Sequence, residues 1–372
     1  MIVGSVKEIK DSEYRVGLTP NAVNEYRLNG NTVIIEKGAG IGAGFSDEEY
    51  VRFGAIIKES AKEVWDAVDM MVKVKEPLPS EYKYFREGLI IYTFLHLAAD
   101  ESLTKAMLES KVTGIAYETI SEDGKTLPCL RPMSEAAGRL SVLEGVKYLQ
   151  KPFGGRGLLL SGLPGVKRAR VMIIGAGVVG MNALKMAVGL EARVTILDVD
   201  LNKLVEIDTL YGSKVTTLYS SEANIRETIK TQDLVIGAVL IPGAKAPKLI
   251  KREYYQTMRP GSVIVDVAID QGGSTEVSKP TTHLNPVFQV DGITHYCVAN
   301  MPGAVALTTT EALNNATLKY GLKIARGKAK ALDDLSIRRG VNTYNGYITN
   351  KEVARAFDLE YFDILDITKT RR

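Results

Sequence analysis

The chain has 372 residues, 45% hydrophobic and 24% charged, with 47 basic residues against 44 acidic ones and a formal net charge of +3. That balance carries no electrostatic footprint for nucleic acid, and the length suits about two domains whose cores need no disulfides. The two cysteines, Cys129 and Cys297, lie far apart without CxxC spacing, the N-terminus MIVGSVKEIKDSEYR has no signal-peptide core, and no apolar run is long enough for a membrane span, so a reducing cytoplasm is expected and no membrane partner.

In chain order, short apolar runs come first: Ile2–Val6, Thr32–Ile35, Met70–Val74, Leu89–Leu95 and Val112–Tyr117. Their alternation with helical or loop segments predicts parallel strands joined by helical crossovers. MSEAAGRLSVLEGVKYLQ predicts an amphipathic helix from Ser134 to Leu149, with Ser134 as its N-cap. A glycine-rich connector, KPFGGRGLLLSGLPGVKRA, follows. A second strand series then runs Val171–Ile174, Val194–Leu197, Lys214–Thr217, Leu234–Ala238, Val263–Val267 and His295–Val298. Six strands with intervening helices fit a complete Rossmann domain. After Asn300, ALTTTEALNNATLKYGLKIARGKAKALDDL predicts a long helix that returns to the first domain. The expected fold is α/β: two doubly wound Rossmann-like domains with parallel sheets, a cleft between them, and long helices joining them.

The most specific local motif is RVMIIGAGVVG, in which Gly175, Gly177 and Gly180 form G-x-G-x-x-G. The triplet alone is weak, but here it follows an apolar strand and opens a helical segment, the context the motif requires. Gly175 permits the tight turn, Gly177 lets backbone approach a pyrophosphate, and Gly180 lets helix and strand pack closely. The next strand ends at Asp198, whose carboxylate can accept the ribose hydroxyls of NAD and repels the extra phosphate of NADP. Lys203 nearby softens that repulsion. The motif assigns residues 130–306 to NAD binding and leaves 1–129 and 307–372 as a discontinuous substrate domain.

Ligands of open parallel sheets sit at the carboxyl ends of strands. Ionisable residues are expected at that edge in both domains. Arg15 lies in EYRVGLTP after the first strand, Lys75 follows MMVKV, His96 follows IIYTFL, Glu118 follows VTGIAY, and Asp270 follows SVIVDVAI. Each has a bland reading: a surface arginine, a solvated lysine, a satisfied core histidine, a structural glutamate, a turn-forming aspartate. Together they suit a small anionic carbonyl compound. A guanidinium holds a carboxylate in two-pronged fashion, an ammonium polarises a carbonyl oxygen, and an imidazole moves a proton. His283 and His295 have weaker claims, and no metal-ligand spacing or GxSxG elbow is present.

Several longer blocks carry a resemblance: EYRVGLTP, GAGIGAGFSDEEY, VKVKEP, FLHLA, RPMSEAAGRLS, GVKRARVMIIGAGVVG, DVAIDQGGSTE and ANMPGAVALTTTEALNNATL. Over essentially its whole length the chain resembles the alanine dehydrogenases, a family related to the NAD-binding subunit of proton-translocating transhydrogenase. The resemblance implies reversible, NAD-dependent oxidation of L-alanine to pyruvate and ammonium, a role in amino-acid catabolism, and a homohexamer. It implies that Arg15 and Lys75 bind substrate, that His96 is the general acid/base, and that Asp270 lies at the reacting centre. It implies that NAD is lined by Ser134, Gly175, Gly177, Val178, Val179, Gly180, Asp198, Lys203, Ser220, Val239, Leu240, Ile269, Asn300 and Met301. An imidazole that ordinarily titrates at about 6.5 is neutral enough to accept a proton at mildly alkaline pH.

Three alternatives stay open at this point. A transhydrogenase-like NAD-binding subunit has no use for Lys75 and His96 together. A saccharopine-type dehydrogenase requires a larger substrate pocket. A non-catalytic NAD sensor would keep the glycines and Asp198 without Arg15, Lys75, His96 and Asp270.

Overall fold

In the computed structural model, residues 1–239 and 245–369 are described. In chain order the strands are β1 (Ile2–Ser5), β2 (Thr32–Glu36), β3 (Ile56–Lys58), β4 (Met70–Val72), β5 (Ile90–Thr93), β6 (Thr113–Ala116), β7 (Arg170–Ile174) and β8 (Arg193–Asp198). They continue with β9 (Val215–Tyr219), β10 (Leu234–Gly237), β11 (Val263–Asp266), β12 (Val287–Val290), β13 (Ile293–Tyr296), β14 (Val341–Tyr344) and β15 (Tyr347–Ile348).

The chain divides into two compact units, Met1–Pro132 with Gly303–Arg372, and Met133–Pro302. In the first unit the sheet order is β15-β14-β6-β5-β4-β1-β2-β3, and in the second β12-β13-β11-β10-β7-β8-β9. The six parallel strands of each sheet therefore share one order. The first strand lies between the second and the fourth, and the chain reverses its direction of travel across the sheet there. Such a switch point opens a crevice at the strands' carboxyl ends.

The central strands are buried on both faces, which is why they read as continuous apolar runs. In the first unit they pack with Trp65, Leu103, Met107 and Val353; in the second, Met172, Ile174, Leu197, Val235 and Ile264 share a core with Ile225 and Tyr254. No helix among the described residues is long and apolar enough to cross a membrane.

Four local expectations are corrected. Neither sheet is wholly parallel: β12 pairs antiparallel with β13, β14 with β6, and β15 with β14. The short edge strands β3, β12 and β15 carry half-exposed or polar positions, so they lack the apolar run that marks the others. Ser134 is not an N-cap, because the helix starts at Arg131 and runs to Tyr148. Pro132 is compatible with that earlier start, since a first-turn residue needs no N–H partner. The helix after Asn300 spans Ala306–Ala325 and stops before Gly327, whose φ of +123° no L side chain adopts readily.

That helix belongs to the first unit for a visible reason. The Asn314 side chain accepts from Thr19 N–H at 2.9 Å and donates to Gly17 C=O at 3.2 Å. The Thr317 carbonyl accepts from the Tyr92 hydroxyl at 2.9 Å.

Candidate active site

The second unit presents backbone at its switch point. Only Gly175, Ala176 and Gly177 separate β7 from the helix Val178–Gly189. Gly175 has φ +102°, and a Cβ there would stand 2.7 Å from the Ala238 carbonyl oxygen, just past β10. A Cβ on Gly180 would fall 1.8 Å from the Gly175 oxygen, so helix and turn touch backbone to backbone. Among the described residues nothing lies within 4 Å of the Cβ position on Gly177. No side chain among the described residues caps this helix, so its first N–H groups and the positive end of its dipole are left to meet a ligand. Those features fit a dinucleotide pyrophosphate.

Asp198 ends β8 and is 9% exposed. Its Oδ2 accepts from Ala176 N–H at 2.5 Å and its Oδ1 from Asp200 N–H at 2.8 Å. Each oxygen keeps a lone pair for a ribose hydroxyl. The Lys203 ammonium stands 4.0 Å from Oδ2.

The remaining cofactor candidates sit past neighbouring strand ends. Ser220 follows β9, and its N–H donates to the Asp198 carbonyl at 3.0 Å. Half-buried Val239 follows β10 and buried Ile269 follows β11. Asn300, in left-handed backbone at φ +61°, and buried Met301 follow β13. The His283 ring bonds the Asn300 carbonyl at 3.2 Å and supports this turn. Val178 and Val179 open the helix, Ser134 stands in the first turn of Arg131–Tyr148, and Leu240 lies outside the described residues. Asp270 is exposed on a one-turn 3-10 helix, Val267–Gln271, beyond β11 rather than on it. The strand ends at buried Asp266, which accepts from Ser274 N–H at 2.7 Å, Ser274 Oγ at 3.0 Å and Ala268 N–H at 3.1 Å, and so anchors the loop bearing Asp270.

The first unit presents charge instead. Arg15 is no surface arginine: it is 2% exposed, and Glu13 takes its Nε at 2.6 Å and its Nη2 at 2.5 Å. Two parallel bonds of this kind fix the guanidinium plane. Half-buried Lys75 lies three residues past β4. Its ammonium is lowered from the ordinary value by burial first and then by the Arg15 guanidinium. His96, three residues past β5, is exposed, with 48% of its side chain accessible, so it is not a core histidine. Its ring stacks on Phe94 with centroids 5.8 Å apart and planes 6° apart. Its backbone is left-handed, φ +50° and ψ 34°, an uncommon state for a residue with a Cβ. The core histidine is His295, fully buried in β13 between Phe288 and Tyr255.

Sequence reasoning missed a buried network beside these residues. Lys73 is 0% exposed, and its ammonium lies 3.1 Å from both Glu8 and Glu81. Burial alone would depress that ammonium, yet the two carboxylates carry it above its ordinary value. The available signal was a lysine inside an otherwise apolar strand run, since an unpaired buried charge is prohibitively costly.

Comparisons with known proteins agree along the chain. Residues 4–137 match the model "Alanine dehydrogenase/PNT, N-terminal domain", and residues 141–351 match "Alanine dehydrogenase/PNT, C-terminal domain". The chain is 53% identical to the alanine dehydrogenase of Methanococcus maripaludis, over 97% of this chain and 98% of that one. It is 54% identical to the alanine dehydrogenase of Bacillus subtilis, over 97% and 96%. A solved L-alanine dehydrogenase superposes with a TM-score of 0.94 at 48% identity, over 96% of this chain and 99% of that one. A transhydrogenase from Sinorhizobium meliloti superposes at 0.82 with 25% identity, over 94% and 99%. With both family models matched and relatives above half identity over nearly its full length, this chain belongs to the alanine dehydrogenase/PNT family.

Proposed function

We propose that this protein is an NAD-dependent L-alanine dehydrogenase that interconverts L-alanine, NAD and water with pyruvate, ammonium, NADH and a proton. One observation carries the reading. At the carboxyl edge of the first sheet, buried Arg15 stands near a Lys75 whose ammonium is depressed, with an accessible imidazole on the adjacent strand end. Two cations and a proton carrier suit a small amino or oxo acid. The name borne by the relatives at 53% and 54% identity supports the same reaction.

The first unit serves the substrate and the second serves NAD. Arg15 holds the substrate carboxylate, its plane preset by Glu13. Lys75 polarises the carbonyl oxygen of the oxo acid, and its depressed ammonium eases sharing of a proton with that oxygen. His96 accepts a proton from the amine or from the attacking water and returns it in the reverse direction. Asp270 stabilises the positive charge that develops at the reacting carbon. Bound NAD supplies the hydride acceptor. Gly175, Gly177, Val178, Val179 and Gly180 would cradle its pyrophosphate, Asp198 would take its ribose hydroxyls, and Ser134, Lys203, Ser220, Val239, Ile269, Asn300 and Met301 would line the rest.

The test is an initial-rate assay at alkaline pH with L-alanine, L-serine and glycine, each with NAD and with NADP. NADH formation fastest with L-alanine is expected. Tight NAD binding without turnover of L-alanine would sink the reading in favour of a sensor. The reading extends to a cytoplasmic homohexamer, for which light scattering should give the mass of six chains.

A further inference from the structure

The first unit sets its two proposed catalytic strand ends by the same means. Past β5 the Phe94 N–H still donates to the Val74 carbonyl at 3.4 Å, and from Leu95 on Glu118, which follows β6, takes over. Its Oε1 accepts from His96 N–H at 2.6 Å and from Leu95 N–H at 3.2 Å, and its Oε2 accepts from Leu95 N–H at 3.3 Å. Past β4, Glu8 from the loop after β1 does the same. Its Oε1 accepts from Val74 N–H at 2.6 Å and from Lys75 N–H at 3.2 Å, while its Oε2 accepts from the Lys73 ammonium at 3.1 Å. Each carboxylate reaches across from another strand's end and grips two consecutive N–H groups, one of them the amide of a functional residue.

The grip answers a physical need. Left-handed backbone at a non-glycine residue persists only where its surroundings over-determine it, and His96 is such a residue. Hydrogen bonds to an ionised carboxylate are roughly twice as strong as neutral ones, so one side chain can hold the turn. Glu118 Oε1 also stands 3.9 Å from His96 Nδ1, so a single carboxylate faces both the backbone and the ring of His96. Glu8 is itself held, because its second oxygen is tied to Lys73, which Glu81 also holds. Neither glutamate has a place in the reaction assigned above.

Resting on that reaction, we propose that Glu118 and Glu8 are positioning residues, a pair of carboxylate clamps that set His96 and Lys75 through their backbone amides. The experiment uses the full chain and compares Glu118→Ala, Glu118→Gln and Glu8→Gln with wild type. Readouts are kcat, KM for L-alanine, Kd for NAD, thermal stability and amide hydrogen exchange. For Glu118→Ala, kcat should fall about 100-fold, the cost of a misplaced catalytic group, while Kd for NAD stays within about twofold. Exchange should quicken at Leu95 and His96. Glu118→Gln keeps an oxygen where Oε1 was and should recover kcat to within about tenfold of wild type. Glu8→Gln should raise KM for L-alanine about tenfold, again with NAD affinity unchanged.

Wild type that fails to turn over L-alanine would refute the function proposed above, whatever the variants do. With wild type active, the clamp is refuted if Glu118→Ala keeps kcat within about twofold. It is equally refuted if Ala and Gln lose kcat, NAD affinity and thermal stability alike, since that pattern marks a merely structural glutamate.

Discussion

The two units thread six parallel strands in one order yet place opposite materials at their switch points. In the second, three residues separate β7 from its helix, and what reaches the crevice is bare backbone and a helix N-terminus. In the first, a long loop runs from Ser5 to a helix that begins at Pro20, and it delivers Glu8, Glu13 and Arg15 as side chains. Both wedge a glycine between the first and fourth strands: a Cβ on Gly17 would meet the Val72 carbonyl at 2.3 Å, as one on Gly175 would meet Ala238. The length of one connection thus separates an anion cradle from a charged pocket edge on the same scaffold. Backbone N–H groups serve a polyanion of fixed shape, whereas discrimination of a small substrate needs individually aimed side chains.

This division of labour can be broken by experiment. The largest effect is expected for His96→Ala, with kcat lowered about 1000-fold and Kd for NAD within about twofold, measured by stopped-flow turnover and fluorescence titration. Parallel loss of NAD affinity would erase the division.

The next concerns the buried histidine of the second unit, for which the first has no counterpart. Burial lowers the His295 ring to about 4. The unfolded chain then binds a proton at higher pH than the folded one. Stability from this group is therefore intact above about 6.5 and is lost as pH falls towards 4, by roughly 3 kcal/mol. His295→Leu should narrow the gap in Tm between pH 7 and pH 4.5. An unchanged gap would show that the ring titrates no differently on folding.

Gly177→Ala sharpens the comparison further. The Cβ enters space that the described residues leave open, so stability should shift by less than about 1 kcal/mol, while NAD affinity should fall about tenfold. A fold that melts early would mean that the cradle is packing rather than a binding surface. Smallest is Lys203→Ala. Its side chain is 43% exposed and its ammonium lies 4.0 Å from Asp198, so stability should change by under about 0.5 kcal/mol. Residual rate with NADP should drop while that with NAD holds; equal losses would remove Lys203 from the ribose end.

Elements with strong local signals are legible in the residues alone. The buried strands read as apolar runs because both faces are covered, and the expected spans lie within one or two residues of the observed limits. Short edge strands such as Ile56–Lys58 are not legible, since half-exposed positions break the run. Nor is the start of the helix at Arg131, because a cap depends on where the first turn closes, and Pro132 lets it close ahead of Ser134. The glycine fingerprint and Asp198 are legible because they are spaced along one strand–turn–helix–strand unit.

By itself, then, the sequence determined the α/β class, the glycine turn that joins β7 to its helix, and which ionisable residues follow strands: Arg15, Lys75, His96 and Asp270. Those are local matters, in which residue type and short spacing dictate backbone geometry. Tertiary structure alone decided how these residues are held. Glu8 grips Val74 from 66 residues away and Glu118 grips His96 from 22. Lys73 is tolerable in the core only because Glu8, 65 residues away, and Glu81, 8 residues away, converge on it. Hydrogen bonds and charge pairs act through space, and a parallel sheet brings to one edge residues that the chain keeps far apart.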